Sequence, residues 1–113
     1  MNVELRENEQ PVRKGRANLQ RGIEVVGGRL YLTNQRLIFA AHRFNIQTGK
    51  TIIELAHVTR TQKGWTRFLG FIPLFPNTLA VFTEDGHEYR FVLTDREAWA
   101  MAIEKQLGLG RAP

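Results

Sequence analysis

The chain contains neither cysteine nor serine, so disulfides, thiolate metal sites, cysteine nucleophiles and Ser-His-Asp relays all lie outside its chemistry. Its three histidines, His42, His57 and His87, show no metal-ligand spacing and have no clustered aspartates or cysteines beside them. Glu84, Asp85 and His87 could be drawn as an acid–base group. They flank Asp85-Gly86, however, a hairpin tip with neither burial nor a pocket to tune a pKa. What the chain has in excess is positive charge: sixteen Lys and Arg against eleven Asp and Glu, a formal +5. The bases crowd the middle, because from Arg13 to Arg67 the only acids are Glu24 and Glu54. The chemistry open to such a chain is recognition of phosphate-bearing or otherwise anionic partners. We expect no enzyme, no cofactor and no metal site.

A second candidate is apolar. Trp65-Thr66-Arg67-Phe68-Leu69-Gly70-Phe71-Ile72-Pro73-Leu74-Phe75-Pro76 is too hydrophobic, and too interrupted by Gly and Pro, for an ordinary solvated connection. Three readings stand side by side. It could dip into a membrane with Arg60, Lys63 and Arg67 at the headgroups, where each buried large side chain contributes ~1.5–3 kcal/mol and each base about 1 kcal/mol. Trp65, Phe68, Leu69, Phe71 and Ile72 could instead form a protein-interaction or homo-oligomer patch. Or the segment folds back into the core as an irregular strand. Lys63-Gly64-Trp65 with Gly70-Phe71-Ile72 also resembles the base-stacking run of cold-shock domains, but the spacing is wrong and it lies mid-chain, so nucleic acid is set aside.

These residues must be positioned by one domain, since 113 residues suffice for a single core. The charged start lacks the apolar core of a secretory signal, and no stretch reaches the roughly 18 apolar residues of a membrane span. A cytoplasmic protein is expected, peripheral at most on the inner membrane face. Residues 1–15 read as a polar arm or frayed strand, 16–108 as the domain and 109–113 as a tail. Strands are expected at Ala17–Gln20, Arg29–Thr33, Arg36–Ala41, Thr51–Leu55, Val58–Lys63, Thr78–Thr83 and Glu88–Leu93. Thr94-Asp95-Arg96-Glu97 has capping-box spacing, and Trp99, Ala102, Ile103 and Leu107 share one helical face that Gly108 ends. From pattern alone this is a small antiparallel β domain with a C-terminal helix.

Gly28-Arg-Leu-Tyr-Leu-Thr-Asn-Gln-Arg-Leu-Ile-Phe39 resembles the signature hairpin of GRAM domains, a branch of the pleckstrin-homology-like superfamily. Ile52–Val58 and Asp85–Phe91 extend the resemblance, which runs from Gly15 to Leu107. It implies a mainly β, bent antiparallel sandwich or barrel of about seven strands, capped by one C-terminal α-helix. It further implies a non-catalytic binding module for lipid or protein. In that fold the loops after the first and third strands open at the same end, so Arg21, Arg29, Arg43 and Lys50 could converge on one phosphate; the competing reading leaves them as solvated turn charges. Of the basic pattern by which many pleckstrin-homology domains hold inositol phosphates, Lys14, Arg16 and Arg29 are present, while Tyr31 stands where a further base is expected. The expected partner is an anionic membrane surface or a phosphorylated small ligand, with a protein partner or second copy as the alternative.

Overall fold

The computed structural model describes residues 4–22, 24–42, 50–68 and 72–111, with the backbone alone at 66–68, 72–76 and 111. Alternating side chains build seven strands: β1 (Pro11–Arg21), β2 (Glu24–Thr33), β3 (Arg36–Ala41), β4 (Lys50–Glu54), β5 (Val58–Phe68), β6 (Ile72–Thr83) and β7 (Glu88–Leu93), followed by helix α1 (Arg96–Arg111). They form one antiparallel sheet in the order β4-β3-β2-β1-β7-β6-β5. β1 joins its two halves. The strand pairs with β2 along its length, and through Ala17–Gln20 also with β7.

The sheet is bent. β3 and β7 stand three strands apart, roughly 14 Å in a flat sheet, yet the rings of Phe39 and Phe91 lie 6.0 Å apart between centroids. Leu30, Leu32, Leu37 and Ile53 from one half therefore meet Leu79, Val81 and Leu93 from the other. One face of α1, with Trp99, Ile103 and Leu107, completes this core and contacts β5, β6, β1 and the 3-10 turn Leu55–His57.

Gly28 is fixed by close approach. A Cβ there would lie 2.2 Å from the Ala40 carbonyl oxygen and 2.8 Å from Phe39 Cζ. Gly86 answers a different need, turning the β6–β7 hairpin at φ 88°.

Several boundaries differ from expectation. β1 begins at Pro11, within the stretch expected as an arm or frayed strand, and its inward positions at that end are Arg13 and Gly15, which accommodate Trp99 and carry no apolar signal: Arg13 Cζ sits 5.2 Å from the Trp99 ring centre, and a Cβ on Gly15 would lie 3.5 Å from Trp99 Cζ2. α1 runs through Gly108 to Arg111. Its capping box does not form. The first helical residue is Arg96, and the Glu97 carboxylate accepts from Lys63 Nζ at 2.6 Å and Arg96 Nη2 at 3.2 Å. β5 and β6 are longer than expected, and their backbones pair through Thr66↔Phe75, Arg67↔Pro73 and Phe68↔Ile72 with bulges at Gly64/Thr66 and Thr66/Arg67.

Candidate functional site

β1, β2 and β4 bury one face and expose residues on the other, whereas β3 is buried on both, and the register states which side chains lie along that second face. Arg16 of β1 lies directly opposite Arg29 of β2; Arg29 is opposite Ala40 of β3, and Ala40 is opposite Lys50 of β4. Neighbouring strands are about 4.8 Å apart. Arg16, Arg29 and Lys50 thus form a basic row across four strands, all three exposed, with the small buried Ala40 between the last two. The next row along the same face is Lys14, Tyr31, Ile38 and Ile52, of which Ile38 is buried. Among the described residues, Lys14, Arg16, Arg29 and Lys50 have no carboxylate partner. Like charges directly opposite one another in a sheet destabilise it, by a few tenths of a kcal/mol to about 1 kcal/mol. Arg16 and Arg29 occupy that arrangement in the free protein.

One border of the face is built by residues 4–10, and Glu9 anchors them. Its side chain is wholly buried and accepts from Arg36 Nε at 2.8 Å, Arg36 Nη2 at 3.1 Å, Thr33 Oγ1 at 2.6 Å and the Arg6 backbone N–H at 2.7 Å. The Arg36 guanidinium, chiefly, holds the Glu9 carboxyl at about 2, below its ordinary 4.5, against the opposing effect of burial. The β2–β3 turn completes the clasp. Asn34 Nδ2 donates to the Asn8 carbonyl, Asn34 Oδ1 accepts from the Gln10 N–H, and Gln35 Nε2 donates to the Glu7 carbonyl. Arg6 then reaches Glu54 on β4 through two hydrogen bonds of 2.7 and 2.6 Å, which lower the Glu54 pKa. Leu5 is left exposed between two grooves, one of about 500 Å³ beside Val12, Lys14 and Tyr31, the other of about 440 Å³ beside Ile38, Lys50 and Ile52. Cations and apolar side chains share this surface.

The sequence model of the GRAM domain matches residues 1–107. The chain belongs to the GRAM domain family. No curated protein matches this GRAM domain. Among solved structures it is similar to the C-terminal domain of an unknown protein from Leishmania infantum (TM-score 0.75, 17% identity, covering 89% of this chain and 86% of that one). It is similar also to the N-terminal PH domain of Vps36 (0.66, 21%, 92% and 86%) and to the N-terminal PH domain of human ARAP2 protein (0.67, 12%, 88% and 82%). At these identities the likeness is one of fold, and the fold is pleckstrin-homology-like. GRAM and PH-like domains are typically binding modules for lipids or proteins, and generally non-catalytic.

Of the four bases expected to converge, Arg29 and Lys50 share the outward row. Arg21 does not join them: its Nη2 donates to Thr51 Oγ1 at 2.9 Å, and Thr51 is the register partner of core Phe39, not of an outward residue. That bond does bring the end of β1 to the start of β4. Arg43 lies outside the described residues, as do Leu69 and Phe71 of the apolar segment. Arg67, Phe68 and Ile72 belong to paired strands. Trp65 is 45% exposed, Arg60 stacks over Phe82 at 3.8 Å, and Lys63 is held by Glu97. Glu84, Asp85 and His87 sit in solvent at the β6–β7 hairpin; the Asp85 carboxyl is drawn down to about 2, first by the Thr83 hydroxyl and then by the His87 backbone N–H. Sequence reading missed Glu9 and Arg36. A buried ion pair 27 residues apart leaves no local signal, although an Arg immediately after a Thr-Asn-Gln turn and before an apolar run was visible.

Proposed function

We propose that this GRAM domain is a non-catalytic binding module that docks on an anionic membrane surface through the outward face of β1–β4, with Arg16, Arg29 and Lys50 as the central contacts and Lys14 beside them. The observation that supports this reading is the directly opposed pair Arg16–Arg29, which has no carboxylate partner among the described residues. Such a pair costs stability in the free protein and is relieved when anions bind over it. The row spans four neighbouring strands, a spread that suits several headgroups better than a single enclosed ligand. Leu5, Val12 and Ile52, each between 41% and 46% exposed, lie where acyl chains begin once the bases meet phosphates. The expected location is peripheral, on a cytoplasmic membrane leaflet.

A second reading uses the β5–β6 arm as a protein or homo-oligomer contact. It is favoured by the way the paired residues 64–68 and 72–76 continue beyond the span paired by β7, which covers only Thr78–Phe82 of β6, and by the exposure of Trp65.

Sedimentation with phosphatidylserine-containing vesicles tests both. Each base near an anionic leaflet contributes about 1 kcal/mol, so Arg16→Ala with Arg29→Ala should weaken partitioning about 30-fold. The double variant should melt no lower than wild type, and high salt should suppress binding of the wild type. Binding that survives both the double substitution and high salt but is lost in Trp65→Ser would move the contact to the arm.

A further inference from the structure

The two edges of the sheet are not alike. β5 is guarded: Arg96 Nη1 donates to the outward Gly64 carbonyl at 2.7 Å, Glu104 and Glu97 of α1 engage Thr61 and Lys63, and three register shifts interrupt the strand. β4, at the other edge, is regular. It pairs with β3 from Arg36↔Glu54 to Ala40↔Lys50 without a shift, and among the described residues no strand pairs with its other side.

Its open side is defined by the hydrogen-bond parity. The Leu55 N–H donates to the Gln35 carbonyl at 3.0 Å, so Leu55, Ile53 and Thr51 turn their backbone groups toward β3. Lys50, Ile52 and Glu54 turn theirs toward the open edge. These three positions are symmetric about Ile52, with a cation at one end and an anion at the other.

We propose that β4 is a self-complementary edge at which two copies of this domain pair antiparallel about a two-fold axis at Ile52. In that register the Ile52 N–H and C=O exchange hydrogen bonds with Ile52 of the second copy. Lys50 falls opposite Glu54 of the second copy, and Glu54 opposite its Lys50, on the outward face, each Lys50 joining the Arg6 that already holds that carboxylate. The two half-exposed Ile52 side chains meet between the two charge pairs. Charge sequence and backbone parity select the same centre. A five-residue edge buries less than the ~1,200 Å² of stable complexes, so the dimer is weak and concentration-dependent. Side chains of opposed residues in an antiparallel pair point to one side of the sheet. Both basic faces would therefore look the same way. The dimer itself stands on β4 alone; only the consequence that it sets two Arg16–Arg29 pairs side by side against an anionic surface, with Lys50 now engaged by Glu54, rests on the function proposed above.

Sedimentation equilibrium without lipid, from tens of micromolar to millimolar protein, is the test. The average mass should rise from 13.0 kDa toward twice that value. Lys50→Glu should weaken the dimer about tenfold by setting Glu opposite Glu twice, and Lys50→Glu with Glu54→Lys should restore it. Because Glu54→Lys also removes the partner of Arg6, a second readout uses the unaltered chain: hydrogen exchange of the Ile52 amide should slow as concentration rises. A mass fixed at 13.0 kDa throughout overturns the proposal. So does association that leaves Ile52 exchange unchanged and ignores Lys50→Glu.

Discussion

Glu9 and Arg36 show how much of this domain is decided by single side chains. A buried carboxylate is tolerated only because a guanidinium, a hydroxyl and a backbone N–H all meet it, and together they leave it ionised far below its ordinary pKa. The sign follows from linkage. A folded-state pKa near 2 against 4.5 unfolded contributes stability that is complete above 4.5 and lost as the pH falls toward 2. By pH 3 about 2 kcal/mol of that contribution should be gone. Glu54, Asp85 and Glu97 are shifted in the same direction, so the control must isolate Glu9. Urea unfolding at pH 6 and pH 3 should show a loss about 2 kcal/mol larger for the wild type than for Glu9→Gln. Equal losses would mean that Glu9 does not carry this charge in the folded state.

At the scale of elements, the β2–β3 hairpin has two jobs. Its inward residues Leu30, Leu32, Leu37 and Phe39 are core, while its turn residues Thr33, Asn34, Gln35 and Arg36 hold residues 4–10. Gly28 lets β2 and β3 approach. Gly28→Ala must displace the Ala40 backbone or the Phe39 ring, and should cost several kcal/mol, comparable to the 3–5 kcal/mol of emptying a large core position. Thermal unfolding checks this, and an unchanged midpoint would contradict the contact. The hairpins and the helix face were legible because their signals are local: alternation, a Thr-Asn-Gln turn, Asp-Gly, and apolar residues three and four apart. The first half of β1 was not, because Arg13 and Gly15 fill inward positions next to Trp99, nearly ninety residues away in sequence. The bases of the outward row were named from the sequence, but their alignment was not. Arg16, Arg29 and Lys50 are scattered along the chain and become neighbours only through the strand register.

For the whole molecule, the basic middle of the sequence is divided by the fold: Arg36 is buried, Arg60, Lys63 and Arg67 lie on β5, and four bases share the outward side of β1–β4. β1–β4 carry Lys14, Arg16, Arg29 and Lys50 outward, while carboxylates from the acidic ends are spent on internal pairs: Glu9 with Arg36 and Glu97 with Lys63. No described helix is long and apolar enough to cross a membrane. The contact proposed above is the outward sheet face, and the alternative contact is the β5–β6 arm. These lie at opposite ends of the sheet order, so they can be told apart residue by residue. Titrating the labelled domain with anionic bicelles, while following every backbone amide by NMR, makes that comparison directly. Binding through the basic face predicts the earliest and largest changes at Lys14, Arg16, Arg29 and Lys50, diminished at high salt. Changes concentrated at Trp65 and its neighbours, with the four bases unmoved, would contradict it.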